Sequence, residues 1–282
     1  MPGNEAFLVA AARRLRSAAY RCAAPLDSLF RRMNGLAAYP PLHLRRHVGA
    51  LGAGFNGPGY EFVAYLRLLS RLRDGERLWD LGCGCGLLEI ALHDLGWRGR
   101  LVGTDIHRPC VEWARRHLAR RLAGHDFVHM DVYSAAYWPR GRSSAREWLR
   151  SFDDRGFDVV VAKSLFTHVL PDELGDYLEA VASRMGSGGR GLLTFFVLPE
   201  GGEALPGAPG RSRLSFHAYA EDGRCAVRSR RAPTAAVAYE WDFLRALLMK
   251  SGFRAEGISL RPGAWSGRAD GLSFQDVVLV EK

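Results

Sequence analysis

Apolar and polar residues follow one another along most of the chain in a pattern that predicts strands and helices in turn. Short apolar runs, such as 157–162 and 191–198, are typical of strands buried on both faces of a parallel sheet. Between such runs, apolar residues recur every three or four positions, as in 60–72 and 172–185, which indicates helices with one buried face. This alternation predicts an α/β fold with a doubly wound, mostly parallel seven-stranded sheet.

The same reading gives the full set of predicted elements. The predicted strands are 76–81, 100–104, 126–130, 157–162, 191–198, 253–260 and 274–281. The predicted helices are 5–22, 26–34, 60–72, 87–95, 108–122, 172–185 and 239–251. Two stretches, 133–155 and 199–236, interrupt the alternation and are expected to be insertions. We therefore divide the chain into an N-terminal helical extension, 1–58, and one main domain, 59–282.

Charge and cysteine content limit the partners and the redox environment that we expect for this protein. The 282 residues carry a formal charge of +9, but all but three of the 39 basic residues are arginine, and the arginine pairs are scattered along the chain. Positive charge that is scattered along the chain is only a weak indication of nucleic-acid binding, so we do not expect a nucleic-acid partner. The five cysteines match neither a disulfide framework nor a four-cysteine zinc site, which favours a reducing cytoplasm.

Metal and membrane sites are not predicted either. His43 and His47 are four residues apart, but they lack the glutamate of a zinc-protease helix and a third ligand. No apolar stretch approaches the ~20 residues that span a bilayer. The apolar run at 7–12 follows an acidic Glu5, so we do not expect a signal peptide.

The most informative segment is 78–92, LWDLGCGCGLLEIAL. It places Asp80, Gly82, Gly84 and Gly86 at the turn from the first strand of the main domain into a helix. Glycines at such a turn let the backbone approach a ligand closely, and ligands of α/β sheets bind at this end of the strands. The spacing does not fit the dinucleotide fingerprint G-x-G-x-x-G, and the lysine of a phosphate-binding Walker loop is absent.

The pattern D-x-G-x-G-x-G resembles motif I of the class I S-adenosylmethionine-dependent methyltransferases, and later landmarks agree with it. Asp105 ends the second strand, Asp131 and Val132 follow the third, and Lys163 and Ser164 follow the fourth. The resemblance covers roughly 60–282. It implies a Rossmann-like methyltransferase fold and S-adenosyl-L-methionine as the cofactor. The cofactor-binding residues it implies are Asp80, Gly82, Cys83, Gly84, Gly86, Asp105, Ile106, Asp131, Val132, Lys163 and Ser164.

Two of these residues have specific roles in the family. An acidic residue at the position of Asp105 accepts hydrogen bonds from the ribose hydroxyls. An acidic residue at the position of Asp131 contacts the adenine amino group, while its neighbour, here Val132, packs on the ring. Asp105 could instead cap the following helix, and Asp131 could be a turn residue.

The residues that would act on the acceptor are less clearly marked. His168 follows the fourth strand, and the ordinary pKa of histidine, ~6.5, suits a general base; the alternative is a structural role in its loop. The resemblance implies that the insertions form the substrate wall. His217 is a second base candidate, and Tyr219 and Trp265 are candidate substrate contacts.

The function expected from the resemblance is transfer of a methyl group to a small-molecule acceptor. K-S-L-F stands where amino-methyltransferases that act on DNA bases have D-P-P-Y or N-P-P-Y. We therefore expect a metal-independent O-methyltransferase that acts on a hydroxyl of a bacterial natural product or sugar. An RNA methyltransferase and a non-catalytic cofactor-binding protein remain as alternatives, and a homodimer is left open.

Overall fold

Seven strands form one sheet with helices on both of its faces. The structure is a computed structural model, and it describes residues 19–20, 22–45, 53–135, 137–198, 214–219 and 223–282. The strands of this sheet are β1 Arg77–Leu81, β2 Arg100–Asp105, β3 His125–His129, β4 Phe157–Ala162, β5 Met185–Phe195, β9 Ser259–Arg261 and β10 Asp276–Glu281. A second, small sheet contains β6 His217–Ala218, β7 Cys225–Val227 and β8 Val237–Tyr239.

The helices lie between the strands, as the periodicity predicts. They are α1 Ala24–Met33, α2 Leu42–Arg45, α3 Gly57–Leu68, α4 Leu87–Asp94, α5 Arg108–His117, α6 Ala145–Ser151, α7 Pro171–Arg184 and α8 Trp241–Lys250. Among the residues that the structure describes, no helix is long and apolar enough to cross a membrane.

The strand order of the large sheet is β3-β2-β1-β4-β5-β10-β9. Strands β1 to β5 are parallel, whereas β10 is antiparallel to both of its neighbours, β5 and β9. This arrangement confirms the predicted mostly parallel, doubly wound sheet. The order reverses between β1 and β4, so the crevice at their carboxyl ends is the place where such sheets bind ligands.

The core is built around the strand that leads into the glycine-rich turn. Trp79 in β1 is fully buried, stacks on Phe157 with ring centroids 5.5 Å apart, and donates its indole N–H to Thr104 Oγ1 at 3.0 Å. A buried indole N–H without a partner would destabilise the fold. The contact with Thr104 therefore satisfies this donor and ties β1 to β2 just before the turn.

The largest differences between the predicted and the observed element boundaries are at three places. The helix predicted at 108–122 ends at His117, because turns through Leu118 and Gly124, whose φ is +83°, redirect the chain into β3. The strand predicted at 191–198 begins earlier, at Met185. The strand predicted at 253–260 is reduced to Ser259–Arg261, because a 3₁₀ turn occupies Ala255–Gly257.

The described part of the N-terminal extension is held together by Asp27. This buried carboxylate accepts hydrogen bonds from the Leu42 backbone N–H at 3.1 Å, from Arg31 at 3.0 Å, and from the guanidinium of the buried Arg45. The prediction of a helix at 26–34 is confirmed by α1. Most of the helix predicted at 5–22 lies outside the described residues.

Both insertions contain regular structure. The first carries α6, which begins with a capping box: the Ser144 hydroxyl accepts from the Glu147 N–H at 3.2 Å, and the Glu147 carboxylate accepts from the Ser144 N–H at 2.8 Å. The second contributes β6 and β7 of the small sheet, whose third strand, β8, follows the insertion; there the Tyr239 N–H donates to the Phe196 carbonyl at 2.8 Å. Residues 199–213 of this insertion lie outside the described part.

Candidate active site

The glycine-rich turn has a backbone that other residues rarely adopt. Gly82, Gly84 and Gly86 all have positive φ angles, +89°, +58° and +81°. At Gly86 an added Cβ would also lie 2.2 Å from a methyl group of Leu118. The three glycines are therefore required by the turn itself, which exposes its backbone at the carboxyl end of β1.

Asp105, the last residue of β2, holds this turn in place. One carboxylate oxygen accepts from the Gly84 N–H at 2.8 Å, and the other accepts from the His107 N–H at 2.6 Å. Burial raises the pKa of Asp105, and the two backbone N–H groups oppose that rise by stabilising the charged form. Each oxygen keeps a second lone pair, so Asp105 can accept further hydrogen bonds from a ligand.

A cavity of about 840 Å³ opens above this edge of the sheet. A volume of this size is typical of a site for small molecules. Residues from the ends of β1, β2 and β4 line it together with the 3₁₀ turn Phe166–His168 and the start of α7. The predicted cofactor residues in its lining are Asp80, Gly82, Cys83, Gly84, Asp105, Ile106, Val132, Lys163 and Ser164.

Two side chains of opposite charge, Asp80 and Lys163, line the cavity and influence each other electrostatically. Burial raises the pKa of the Asp80 carboxyl to about 7, and the nearby Lys163 opposes this rise. Burial lowers the pKa of Lys163, whose ammonium lies 4.8 Å from the centre of the Phe62 ring. Asp80 and Lys163 therefore form a poorly hydrated pair whose charges can respond to a charged ligand.

Comparison with known families agrees with this geometry. Residues 79–189, which include the glycine-rich turn, Asp105 and Lys163, match the family model described as a methyltransferase domain. Residues 79–189 of this chain are therefore a methyltransferase domain of the type that the motifs predicted. The resemblance predicted from the motifs is thereby confirmed, and S-adenosyl-L-methionine is the cofactor of this methyltransferase.

The curated relatives of the methyltransferase match only part of it. The ribosomal protein L11 methyltransferase of Neisseria gonorrhoeae is 32% identical over 138 residues, which make up 49% of this chain and 38% of that protein. The protein of the same name from Thiobacillus denitrificans is 30% identical over 153 residues, or 54% of this chain and 43% of that protein. The chain thus spans less than half the length of these relatives.

Solved structures share the fold of the methyltransferase over most of its length. A candidate O-methyltransferase from Nostoc punctiforme has a TM-score of 0.54 and 13% identity, covering 86% of this chain and 61% of that chain. The PH0226 protein from Pyrococcus horikoshii has a TM-score of 0.52 and 17% identity, covering 82% of this chain and 92% of that chain. At these identities the likeness concerns the fold alone.

The residues present fit the cofactor. The left-handed turn at Gly82–Gly86 leaves room for close approach, the free lone pairs of Asp105 suit the two ribose hydroxyls, and the Asp80–Lys163 pair offers both charges to an amino acid group. Backbone, carboxylate and ammonium groups of this kind are the ones that recognise the ribose and the methionine part of S-adenosylmethionine.

Asp131 is bound by two neighbouring side chains. Its carboxylate forms an ion pair with Arg142 at 2.7 Å and accepts from the Trp138 indole N–H at 3.1 Å. It lines an adjoining groove of about 540 Å³, whereas its neighbour Val132 lines the main cavity. A contact between Asp131 and adenine stays a prediction, and it would require that carboxylate to be shared with Arg142.

His168 is placed in the cavity in a defined orientation. Its Nδ1 lies 2.9 Å from the Thr234 carbonyl oxygen, and its ring meets the ring of Tyr137 edge-on at 5.4 Å. A carbonyl oxygen can only accept, so Nδ1 carries the proton and Nε2 carries the lone pair. Burial lowers the pKa of His168, which keeps the ring neutral near pH 7.

The other predicted acceptor residues do not line this cavity. His217 is exposed on β6 and Tyr219 is exposed just after it. Trp265 is buried in a cluster with Phe196 and Phe216, and its indole N–H donates to Asp276 at 2.5 Å. Their roles at the acceptor stay predictions, and the described structure places all three outside the cavity lining.

Sequence reasoning missed several residues that do line the cavity: Tyr137, Asp172, Glu173, Tyr177, Thr234 and Gln275. Tyr177 belongs to the inward face of a predicted helix, where a tyrosine is indistinguishable from a core residue. Thr234 and Gln275 reach the site through contacts that are distant in sequence. Gln275, for example, accepts a hydrogen bond from the Ser164 hydroxyl at 3.0 Å.

Cofactor binding should strengthen as the pH rises through the pKa of Asp80, which is about 7. Ionised Asp80 attracts the cationic amino group of the cofactor, and protonated Asp80 does not. Between about pH 6 and pH 8 the ionised fraction increases roughly tenfold, so the affinity for S-adenosylhomocysteine should increase by up to about tenfold in calorimetric titrations.

The Asp80→Asn variant is the control, and its affinity should be nearly independent of pH over this range. Equal pH profiles for the two proteins would contradict the assignment. Because the folded-state pKa of Asp80 lies above its unfolded value, this group stabilises the cofactor-free protein most at low pH, and that contribution should fall as the pH rises towards about 7.

Proposed function

We propose that this methyltransferase transfers the methyl group to a hydroxyl of a small-molecule acceptor, with His168 as the general base. The observation that carries the proposal is the orientation of His168 in the cavity, where the Thr234 carbonyl fixes the proton on Nδ1. A neutral imidazole with its lone pair on Nε2 is the form that accepts a proton from a hydroxyl nucleophile.

The steps follow from the positions of the chain's own residues. When bound, S-adenosylmethionine supplies an electrophilic methyl group and a neutral thioether leaving group. Asp105 and the glycine-rich turn bind the ribose side, and the Asp80–Lys163 pair binds the amino acid side. His168 Nε2 takes the hydroxyl proton as the acceptor oxygen attacks, and the Thr234 carbonyl stabilises the resulting imidazolium.

The lining of the cavity supports a small acceptor over a nucleic acid. Although the sequence is rich in arginine, no arginine among the described residues lines the cavity. Lys163 is the one lysine among the described residues of the lining. Phosphate-bearing substrates are held chiefly by arginine and lysine. Four arginines, Arg108, Arg115, Arg140 and Arg142, line the adjoining groove instead, together with Glu112 and Asp131.

The proposal extends to metal independence and to location. A general base on the chain makes a metal unnecessary for activating the hydroxyl, and no group of three or more His, Cys, Asp or Glu side chains in the described part of the chain could hold a metal ion. We also propose a cytoplasmic location, since the cysteine pattern suits a reducing environment.

A panel assay tests the proposal. The protein is incubated with S-adenosylmethionine and, one at a time, phenol, 2-methoxyphenol, methyl glucoside, aniline and a short RNA, and the release of S-adenosylhomocysteine is measured. Transfer to a hydroxyl compound that persists after metal chelation supports the proposal. Transfer to aniline or RNA alone, or loss of activity after chelation, contradicts it. Cofactor binding without transfer to any acceptor favours the non-catalytic alternative.

A further inference from the structure

Tyr177, on the second turn of α7, presents a hydroxyl group that the fold does not use. Only 5% of the residue is exposed, and it lines the main cavity. Its ring packs edge-on against Phe166, with centroids 6.2 Å apart. The hydroxyl has no hydrogen-bond partner among the described residues, and it is not one of the fully buried unpaired atoms, so it is accessible from the cavity.

A second buried tyrosine shows what a structural hydroxyl looks like in this protein. Tyr239, in β8, is fully buried, and its hydroxyl donates to the Val169 carbonyl, which links the small sheet to the turn that carries His168. Tyr239 and Tyr177 are alike in residue type and burial. They differ in that Tyr239 satisfies a backbone group and Tyr177 faces the cavity.

The hydroxyl of Tyr177 is a donor rather than a base. Burial raises its pKa well above the ordinary value for tyrosine, and the carboxylates of Glu173 and Asp105 add to that rise. The group is therefore protonated throughout the working pH range. Because this donor is accessible from the cavity, an oxygen of a bound ligand can accept its hydrogen bond.

The reacting oxygen is a poor partner for this donor. A hydrogen bond donated to the attacking oxygen would withdraw electron density and weaken it as a nucleophile. His168 acts in the opposite sense, because it accepts the proton of the attacking hydroxyl. Tyr177 is therefore better matched to a different oxygen of the same acceptor, one that does not react.

We propose that Tyr177 is an acceptor-positioning residue that donates a hydrogen bond to a second, non-reacting oxygen of the substrate. The inference rests on the proposed function, and it narrows the substrate class to hydroxyl compounds that carry a neighbouring oxygen, such as a vicinal diol or an ortho-oxygenated phenol. Loss of this hydrogen bond leaves the acceptor free to rotate away from the alignment that methyl transfer requires.

Matched ligand pairs test this inference. Phenol is compared with 2-methoxyphenol, and cyclohexanol with cis-cyclohexane-1,2-diol, by ligand-observed NMR on protein saturated with S-adenosylhomocysteine. In at least one pair, the wild type should bind the compound with the second oxygen about five to tenfold more tightly, and Tyr177→Phe should remove that preference. Tyr177→Phe should bind S-adenosylhomocysteine as the wild type does.

Thermal unfolding separates positioning from a structural role. Tyr177→Phe should unfold close to the wild-type temperature, because it breaks no hydrogen bond within the described residues, whereas Tyr239→Phe loses its bond to the Val169 carbonyl and should unfold at a lower temperature. The proposal is overturned if the wild type binds none of the four compounds, shows no preference, or keeps its preference in Tyr177→Phe. Preference without methyl transfer would instead reject the proposed function and leave the hydrogen bond supported.

Discussion

Replacing Asp105 with alanine should weaken binding of S-adenosylhomocysteine by about 10²–10⁴-fold. The carboxylate holds the Gly84 and His107 N–H groups at 2.8 and 2.6 Å and is predicted to accept both ribose hydroxyls as well. Hydrogen bonds to a charged group contribute about 1.5–3 kcal/mol each, and every 1.4 kcal/mol changes the dissociation constant about tenfold. Calorimetric titration measures the loss directly.

Asp131→Ala is the matched comparison, and it should weaken binding far less. Asp131 is partly exposed, pairs with Arg142, and lies in the adjoining groove. Arg142→Ala removes that ion pair while leaving the main cavity intact, so it should have no more effect than Asp131→Ala. Equal losses for Asp105→Ala and Asp131→Ala would show that the ribose-binding acid is misassigned.

The second large effect is expected at His168. His168→Ala should lower kcat by about 10²–10⁴-fold and change cofactor affinity little, because a positioned base acts on the acceptor and not on the cofactor. In the wild type, the rate should rise with pH as the imidazole loses its proton, because the base is its neutral form. Burial lowers the pKa of His168, so the midpoint of this rise should lie below the ordinary histidine value of about 6.5.

A His168→Ala variant that keeps more than about a third of wild-type kcat would remove the base role. The control is His217→Ala, which should be nearly silent because His217 is exposed on β6, outside the cavity lining. If both variants stay active, proximity and exclusion of water account for the rate, as they do for acceptors that need no deprotonation.

The cofactor half of the site was predictable because its signals are local in sequence. Gly82, Gly84 and Gly86 lie within five positions, and the backbone angles of the turn demand glycine at each. Asp105 was predictable because a strand that ends on an acidic residue after such a turn has a recurring position in this fold. The mostly parallel sheet followed from apolar runs alternating with amphipathic helices.

The acceptor half was not predictable, since its contacts join distant parts of the chain. Thr234 orients His168 from 66 residues away. Tyr177 and Tyr239 are both buried tyrosines, but the Tyr239 hydroxyl donates to a backbone carbonyl and the Tyr177 hydroxyl faces the cavity. Trp265 is a residue that the sequence suggested for the acceptor site and that lies outside the cavity lining. Its sequence context suggested an acceptor wall, but Asp276 draws it into a buried cluster by accepting from its indole and from two backbone N–H groups.

The position of β10 also bears on the order in which the protein folds. This strand, residues 276–281, lies between β5 and β9, and Gly191 of β5 leaves the space that Val280 fills. Strands β1 to β5 can pair as they leave the ribosome, but the edge of β5 that β10 covers remains unpaired until residues 276–281 have also been synthesised. An unpaired apolar edge invites association with other chains. We therefore expect the insertion of β10 to be a step at which productive folding and aggregation compete during synthesis.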